Sequence, residues 1–121
     1  MDMTHDPQLL KGVLSPLLLW LLAERESYGY ELVQRLRTVG LSSISEGTVY
    51  PALSRLEREG RVSSRLVASR AGPARKYYRP TDSGYAALAD ATADWHLLAA
   101  TVNGVLSRPV PATPAPPAKE Q

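Results

Sequence analysis

The stretch that most constrains the fold is a helical pattern over residues 45–59, followed directly by a basic hairpin pattern over residues 61–79. The helix places apolar side chains on one face at a 3.6-residue period, and these are Val49, Ala52, Leu53 and Leu56. Small, polar and basic side chains lie opposite, and Gly60 ends the helix. The pattern therefore predicts a helix with an outward polar face beside a protruding hairpin.

The hairpin carries six basic residues and no acidic one, although the net charge of the whole chain is only +2. Val62, Ser64 and Leu66 alternate with Arg61, Ser63 and Arg65, as in a half-buried strand. Residues 72–73 (Gly-Pro) are predicted to form the turn, and residues 75–79 the return strand. A patch this basic is suited to phosphate, so we predict double-stranded DNA as a partner, with the polar helix face in a groove.

Two helical patterns precede this unit. In the first, Ser15 is the predicted N-cap and Pro16 the first helical residue. In the second, Ser27 is the predicted N-cap, the helix runs to Val39, and Gly40 ends it. The first helix is apolar on more than one side, which predicts that its own domain or a partner covers several of its faces.

A long helical pattern begins after Thr81, its predicted N-cap. Over three heptads, seven residues recur at alternating spacings of three and four, as in the contact seam of a coiled coil. They are Tyr85, Leu88, Thr92, Trp95, Ala99, Val102 and Leu106. A helix this long has little surface to pack on within so small a domain, so a homodimer is the preferred interpretation and packing within one chain the alternative. A symmetric dimer suits palindromic DNA.

The chain is predicted to be mainly α with a small β-hairpin, in three parts. Residues 1–80 form the DNA-binding domain and residues 81–107 the dimerisation helix. Residues 108–121 hold five of the ten prolines and almost no large apolar side chain, so they are expected to form a disordered tail.

Several function classes are disfavoured by what the sequence lacks. There is no cysteine, and the two histidines are isolated, so no metal site is expected. No nucleophile–base set, phosphate-cradling glycine loop or catalytic carboxylate pair is visible, so neither an enzyme nor a cofactor is expected. Glu24 and Glu26 are interpreted as solvated. The longest apolar run, residues 13–23, is shorter than the roughly 20 residues that span a bilayer, and we expect a cytoplasmic protein.

Aromatic residues leave two questions open. Tyr50 is interpreted as a phosphate contact through its hydroxyl. Tyr77 and Tyr78 point to opposite faces of a strand, so one is expected in the core and the other in a wing contact. Trp95 is either an anchor of the dimer interface or, with Trp20 of the partner subunit, a surface for a planar effector.

The candidate DNA contacts are Thr48, Tyr50, Pro51, Ser54, Arg55, Arg58, Arg70, Arg75, Lys76 and Tyr77.

Four stretches carry a family resemblance and together span most of residues 10–90. They are LLLWLLA over residues 17–23, YGYEL over residues 28–32, GTVYPALSRLEREG over residues 47–60 and RKYYRPTDSG over residues 75–84. With these motifs the chain resembles the PadR family of bacterial transcriptional regulators, and its single C-terminal helix is similar to the shorter subfamily. The resemblance implies a winged helix-turn-helix domain, a homodimer swapped or crossed through the last helix, and usually repression.

The resemblance also implies roles for single residues. Family members often release DNA when an aromatic, cationic drug-like or phenolic molecule binds. Carried over residue by residue, DNA contacts fall on Thr48, Tyr50, Pro51, Ser54 and Arg55 in the helix, and on Arg75 and Lys76 in the hairpin. Two positions depart from the family: it usually has an aliphatic residue where this chain has Pro80, and it often has proline where this chain has Glu46. The acidic Glu46 disfavours phosphate capture at that helix start.

The function that the sequence predicts is a sequence-specific DNA-binding regulator, a repressor that a small aromatic or drug-like effector releases from DNA. The alternative is a winged-helix module that binds another protein and has no operator. The basic hairpin favours the first interpretation, because a protein-binding module does not need such a concentration of positive charge.

Overall fold

The computed structural model describes residues 5–112 and 117–118. The elements in this part of the chain are α1 (Pro7–Lys11), α2 (Leu14–Glu24), β1 (Ser27–Tyr28), α3 (Gly29–Thr38), α4 (Glu46–Arg58), β2 (Val62–Ser69), β3 (Gly72–Pro80) and α5 (Asp82–Leu106). The predicted fold class, mainly α with a small β-hairpin, is confirmed, and the structure adds the short strand β1.

The core lies between α2, α3, α4 and the base of the sheet. The predicted inner face of α4 is confirmed, because Val49, Leu53 and Leu56 are buried and Ala52 packs against them. The other core residues come mainly from α2 and α3, and they include Leu18, Leu22, Leu32, Val33 and Leu36. With one face of α4 fixed in the core, its opposite face must point away from the protein.

The predicted start of α2 is wrong. The helix begins at Leu14, and its N-cap is Val13, which makes no side-chain capping bond. Ser15 and Pro16 therefore lie inside the first turn, where a proline costs no hydrogen bond because the first N–H groups of a helix have no partner within it. The cap is unnecessary because α1 leads almost directly into α2, with the Val13 N–H donating to the Leu10 carbonyl at 3.0 Å.

Ser27 is not the N-cap of α3, as its residue type suggested. It lies in β1 and is fully buried, and α3 begins at Gly29 with Tyr28 as its N-cap. The Ser27 hydroxyl accepts a hydrogen bond from the Arg35 guanidinium at 2.9 Å. Arg35 also pairs with Glu24 at 2.6 Å, so Glu24 is not merely solvated. A buried guanidinium requires such partners, and here they tie together α2, β1 and α3.

The sheet has the order β1-β3-β2, with both pairs antiparallel. Its hairpin turn differs from the prediction, because Ser69 pairs with Gly72 and leaves residues 70–71 as the turn. Pro73 has no N–H to donate and lies where the register is irregular. The predicted half-burial of β2 holds only at its base: Val62 is buried, whereas Leu66 is 72% exposed on the projecting part of the hairpin.

Thr81 is the N-cap of α5, as predicted, and its hydroxyl accepts a hydrogen bond from the Gly84 N–H at 3.1 Å. Gly84 is the one buried residue of this helix, and most of the remaining helix is exposed within the single chain. The helix ends at Leu106. The predicted disordered tail, residues 108–121, lies partly outside the described residues and stays a prediction, as do the boundaries of the three predicted parts.

Candidate nucleic-acid interface

The outer face of α4 is one continuous exposed surface. It contains the six helix residues predicted to contact DNA: Thr48, Tyr50, Pro51, Ser54, Arg55 and Arg58. Ser45 occupies the N-cap position, but its side chain makes no bond to the helix backbone, and its Oγ instead lies 3.2 Å from the Thr48 Oγ1. Small side chains and two guanidinium groups along one exposed helix face have the size and chemistry to enter a DNA groove.

Tyr50 connects this face to the start of α3. Its ring lies against Gly29, where any Cβ would overlap the ring, so residue 29 must be glycine for Tyr50 to pack there. Burial, followed by the charge of Glu46 and the neighbouring tyrosines, raises the pKa of Tyr50 above its ordinary value of 10.0. The Tyr50 side chain is 40% exposed, and its phenol is a hydrogen-bond donor suited to a phosphate.

The positive charge of the hairpin is less uniform than the sequence indicated. Arg65 donates to the Glu26 carboxylate at 2.8 Å, and Lys76 donates to the Glu57 carboxylate at 2.7 Å. Glu26 is therefore an ion-pair partner and not simply a solvated residue. Among the described residues, no carboxylate lies within salt-bridge distance of the other basic hairpin residues, which include the exposed Arg70, Arg75 and Arg79.

Glu57 binds both strands of the hairpin to α4. One carboxylate oxygen accepts from Lys76 of β3, and the other accepts from Ser64 of β2 at 2.5 Å. Lys76, followed by Ser64, lowers the pKa of the Glu57 carboxyl through these hydrogen bonds. The predicted phosphate contact Lys76 thus has an acidic partner within the protein, which the local sequence did not reveal.

Arg75 lies over an aromatic ring on the face of the hairpin opposite to the one that contacts Glu57. Its guanidinium carbon lies 4.5 Å from the centroid of the Tyr28 ring. Tyr28 also packs edge-to-face on Tyr77, with ring centroids 5.3 Å apart. The question of the two adjacent tyrosines is thereby resolved: Tyr78 is 7% exposed in the core, whereas Tyr77 is half-buried on this outer face. Sequence reasoning missed Tyr28, because only strand pairing brings it to Arg75.

Comparison with known proteins gives the family. The model of the transcriptional regulator PadR-like family matches residues 18–90. The chain belongs to this family. It is 44% identical over 69 residues to a transcriptional regulator of Mycobacterium tuberculosis, covering 56% of this chain and 62% of that protein. A PadR-like regulator from Bacillus cereus has a similar structure, with a TM-score of 0.75 and 40% identity, covering 84% of this chain and 99% of that chain.

A PadR family regulator from Eggerthella lenta is similar to the same extent, with a TM-score of 0.75 and 38% identity, covering 82% of this chain and 86% of that one. The predicted family and the winged-helix fold are therefore confirmed. This PadR-like protein is a transcriptional regulator and not an enzyme. In the part of the chain that the structure describes, no helix is long and apolar enough to cross a membrane.

The residues of this PadR-like regulator that were predicted to bind an effector or to form the dimer seam lie on α2 and α5. Trp20 is 53% exposed and Trp95 is 50% exposed. Of the seam residues, Leu88 and Ala99 are half-buried, and the others are exposed in the single chain. A cavity of about 200 Å³ lies elsewhere, between α1 and the start of α4, and its lining includes Leu10, Leu14, Leu41, Ile44 and Thr48 but neither tryptophan.

Proposed function

We propose that this PadR-like regulator binds double-stranded DNA as a homodimer, on a two-fold symmetric operator, and represses transcription. The observation that supports this most strongly is the position of the exposed α4 face beside a hairpin that carries unneutralised cations. Thr48 and Ser54 are short hydroxyl residues that suit base edges, whereas Arg70 and Arg75 suit phosphates. Tyr50, Pro51, Arg55 and Arg58 complete the proposed contact surface.

The proposed homodimer rests on the exposure of α5. Trp95, Val102 and Leu106 are 50%, 40% and 75% exposed, and all three belong to the coiled-coil seam. An apolar stripe of this length is costly to leave in water, and a second copy of the same helix covers it with matching side chains. Each dimer would then carry two α4 helices, which is why the operator is expected to be two-fold symmetric.

We further propose that a small aromatic or drug-like molecule releases the repressor, with Trp95 and Trp20 as its candidate contacts. Both indoles are half exposed in the single chain, and Trp95 lies in the middle of the seam. A planar ligand between aromatic rings near the dimer axis would change the angle between the two DNA-binding domains. It needs only to prefer the dimer geometry that does not fit the operator.

The test is a footprint of the purified protein on the DNA flanking its own gene. A dimer is expected to protect a two-fold symmetric site, with half-sites about one helical turn apart. A reporter driven by the same region should be less active when the regulator is expressed. Protection of a single asymmetric half-site would contradict the dimeric operator. Absence of any salt-dependent DNA binding would favour the alternative, a module that binds protein.

A further inference from the structure

Two adjacent basic residues of β3 have opposite surroundings. Lys76 lies on the face that packs against α4 and is paired with Glu57. Arg75 lies on the other face, stacked on Tyr28, and the described residues place no carboxylate within salt-bridge distance of it. Their positive charges are therefore not equally available to a phosphate, although the sequence presents them as a pair.

We propose that Tyr28 is a positioning residue for DNA binding, whose ring holds the Arg75 guanidinium in place for a backbone phosphate. The proposal deepens the DNA-binding function proposed above and rests on it. The guanidinium carries its N–H donors around its edge, so stacking its face on a ring leaves those donors free. A cation held in place in advance loses less conformational freedom when it meets its anion.

The strand pairing explains why Tyr28 can do this. Tyr28 of β1 is the register partner of Tyr77 in β3, and Arg75 is two residues from Tyr77 on the same face of the strand. The Tyr28 ring thus contacts both groups: its centroid lies 5.3 Å from the Tyr77 centroid and 4.5 Å from the Arg75 guanidinium carbon. Tyr77 fixes the orientation of Tyr28, and Tyr28 in turn fixes the orientation of Arg75.

The residue after Tyr28 contacts α4. Tyr28 is followed by Gly29, and the Tyr50 ring of α4 packs on Gly29. Tyr28, which contacts Arg75, and the buried Gly29, on which the Tyr50 ring packs, are therefore consecutive residues at the start of α3.

The experiment measures binding at several salt concentrations to a duplex from the region upstream of the gene and to a random-sequence duplex. The slope of log K against log salt is negative, and Arg75→Gln is expected to make it less steep by about 0.9 for each contacting subunit. Arg65→Gln is the matched control, because it removes the same charge from the same face of the hairpin but from a side chain paired with Glu26. It should leave the slope unchanged.

Two substitutions then test the ring itself. Tyr28→Met fills the space without an aromatic face and is expected to weaken binding roughly two- to fivefold for each contacting subunit, the range for an exposed cation–π contact. Tyr28→Phe keeps the face and should bind as the wild type does. When Arg75 is already glutamine, Tyr28→Met should cause no further loss. Thermal melts establish which variants are folded, and the comparison of Arg75→Gln with Arg65→Gln does not depend on any Tyr28 variant.

Several outcomes would overturn the proposal. Equal slope changes for Arg75→Gln and Arg65→Gln would mean that only total charge matters. An equal loss from Tyr28→Met with and without Arg75 would mean that the ring acts independently of the guanidinium. A loss in Tyr28→Phe as large as that in Tyr28→Met would assign the effect to the hydroxyl. In each case wild-type binding leaves the proposed function standing, whereas a wild-type protein that binds neither duplex removes both proposals.

Discussion

The contribution of Glu57 to stability is expected to depend on pH. Its carboxylate accepts hydrogen bonds from Lys76 and Ser64, and these lower its pKa below the ordinary value of 4.5. A carboxyl whose pKa is lowered by folding contributes stability that is fully present above its unfolded pKa. That contribution is lost as the pH falls through the lowered pKa of the folded state.

Glu57→Gln is therefore expected to destabilise the protein at neutral pH and to have little effect in acid. The expected loss is on the order of 0.5–1 kcal/mol, because the ion pair is partly exposed and solvent screens it. Chemical unfolding at both pH values measures it. Glu59→Gln is the control, since Glu59 is exposed and has no ion-pair partner among the described residues. An equal loss for Glu57→Gln at both pH values would contradict this role.

Two glycines of α5 are predicted to respond in opposite ways to the same substitution. A Cβ at Gly84 would overlap the Arg61 carbonyl oxygen, whereas a Cβ at Gly104 would meet no atom within 4 Å. Gly84→Ala is expected to cost about 1–3 kcal/mol through overpacking. Gly104→Ala should stabilise the helix by about 0.5–1 kcal/mol. Denaturant unfolding measures both, and a stabilised Gly84→Ala variant would refute the close approach of α5 to residue 61.

At the scale of elements, α4 and the start of α5 were predicted correctly, because residues close together in sequence determine both. The apolar period and Gly60 predicted α4, and Thr81 predicted the start of α5. The failure at Ser27 has a cause outside the local sequence. Ser27 has the residue type of a helix cap, but Arg35 and the pairing of β1 with β3 place it in a buried strand. A strand of two residues exists only through its partner, so no local pattern predicts it.

The exposed part of α5 carries the prediction about assembly. Val102→Glu is expected to convert the dimer to a monomer and to leave only weak half-site binding, because it places a charge in the proposed seam. Leu97→Glu is the matched control, since Leu97 is 72% exposed on the same helix and lies outside the seam. Leu88 is a less suitable test position, because it packs against the core of its own chain.

Sedimentation of both variants gives the oligomeric state, and circular dichroism gives the helix content. The seam is supported if only Val102→Glu sediments as a monomer while both variants keep their helix content. An intact Val102→Glu dimer would show that α5 does not hold the subunits together through this seam.

At the scale of the whole molecule, charge was predicted less well than fold. The sequence indicated six basic residues and no acidic one within the hairpin, but folding brings two carboxylates to it. Glu26 lies 39 residues from Arg65 in sequence, and Glu57 lies 19 residues from Lys76. The exposed helix face was predictable from its period. The distribution of unneutralised charge was not, because it depends on contacts between elements distant in sequence.

The proposed effector site also belongs to this scale, because it requires the proposed dimer. The chain has only two tryptophans, and both are proposed ligand contacts, so indole fluorescence reports directly on the site. Titration with planar aromatic cations and phenolic acids is expected to quench this fluorescence and to release DNA over the same concentration range. Stacking contributes roughly 0.5–1.5 kcal/mol per aromatic pair beyond buried area, so Trp95→Ala should weaken ligand binding by up to about tenfold for each pair lost.

Trp20→Phe provides the second arm of this experiment, because it leaves Trp95 as the only indole while keeping an aromatic ring at position 20. Quenching that persists in this variant would come from Trp95 itself. If quenching and DNA release both continue unchanged in Trp95→Ala, the ligand does not bind at the seam. In that case Trp95 is an anchor of the dimer interface, and its half-exposed indole is covered by the second subunit rather than by an effector.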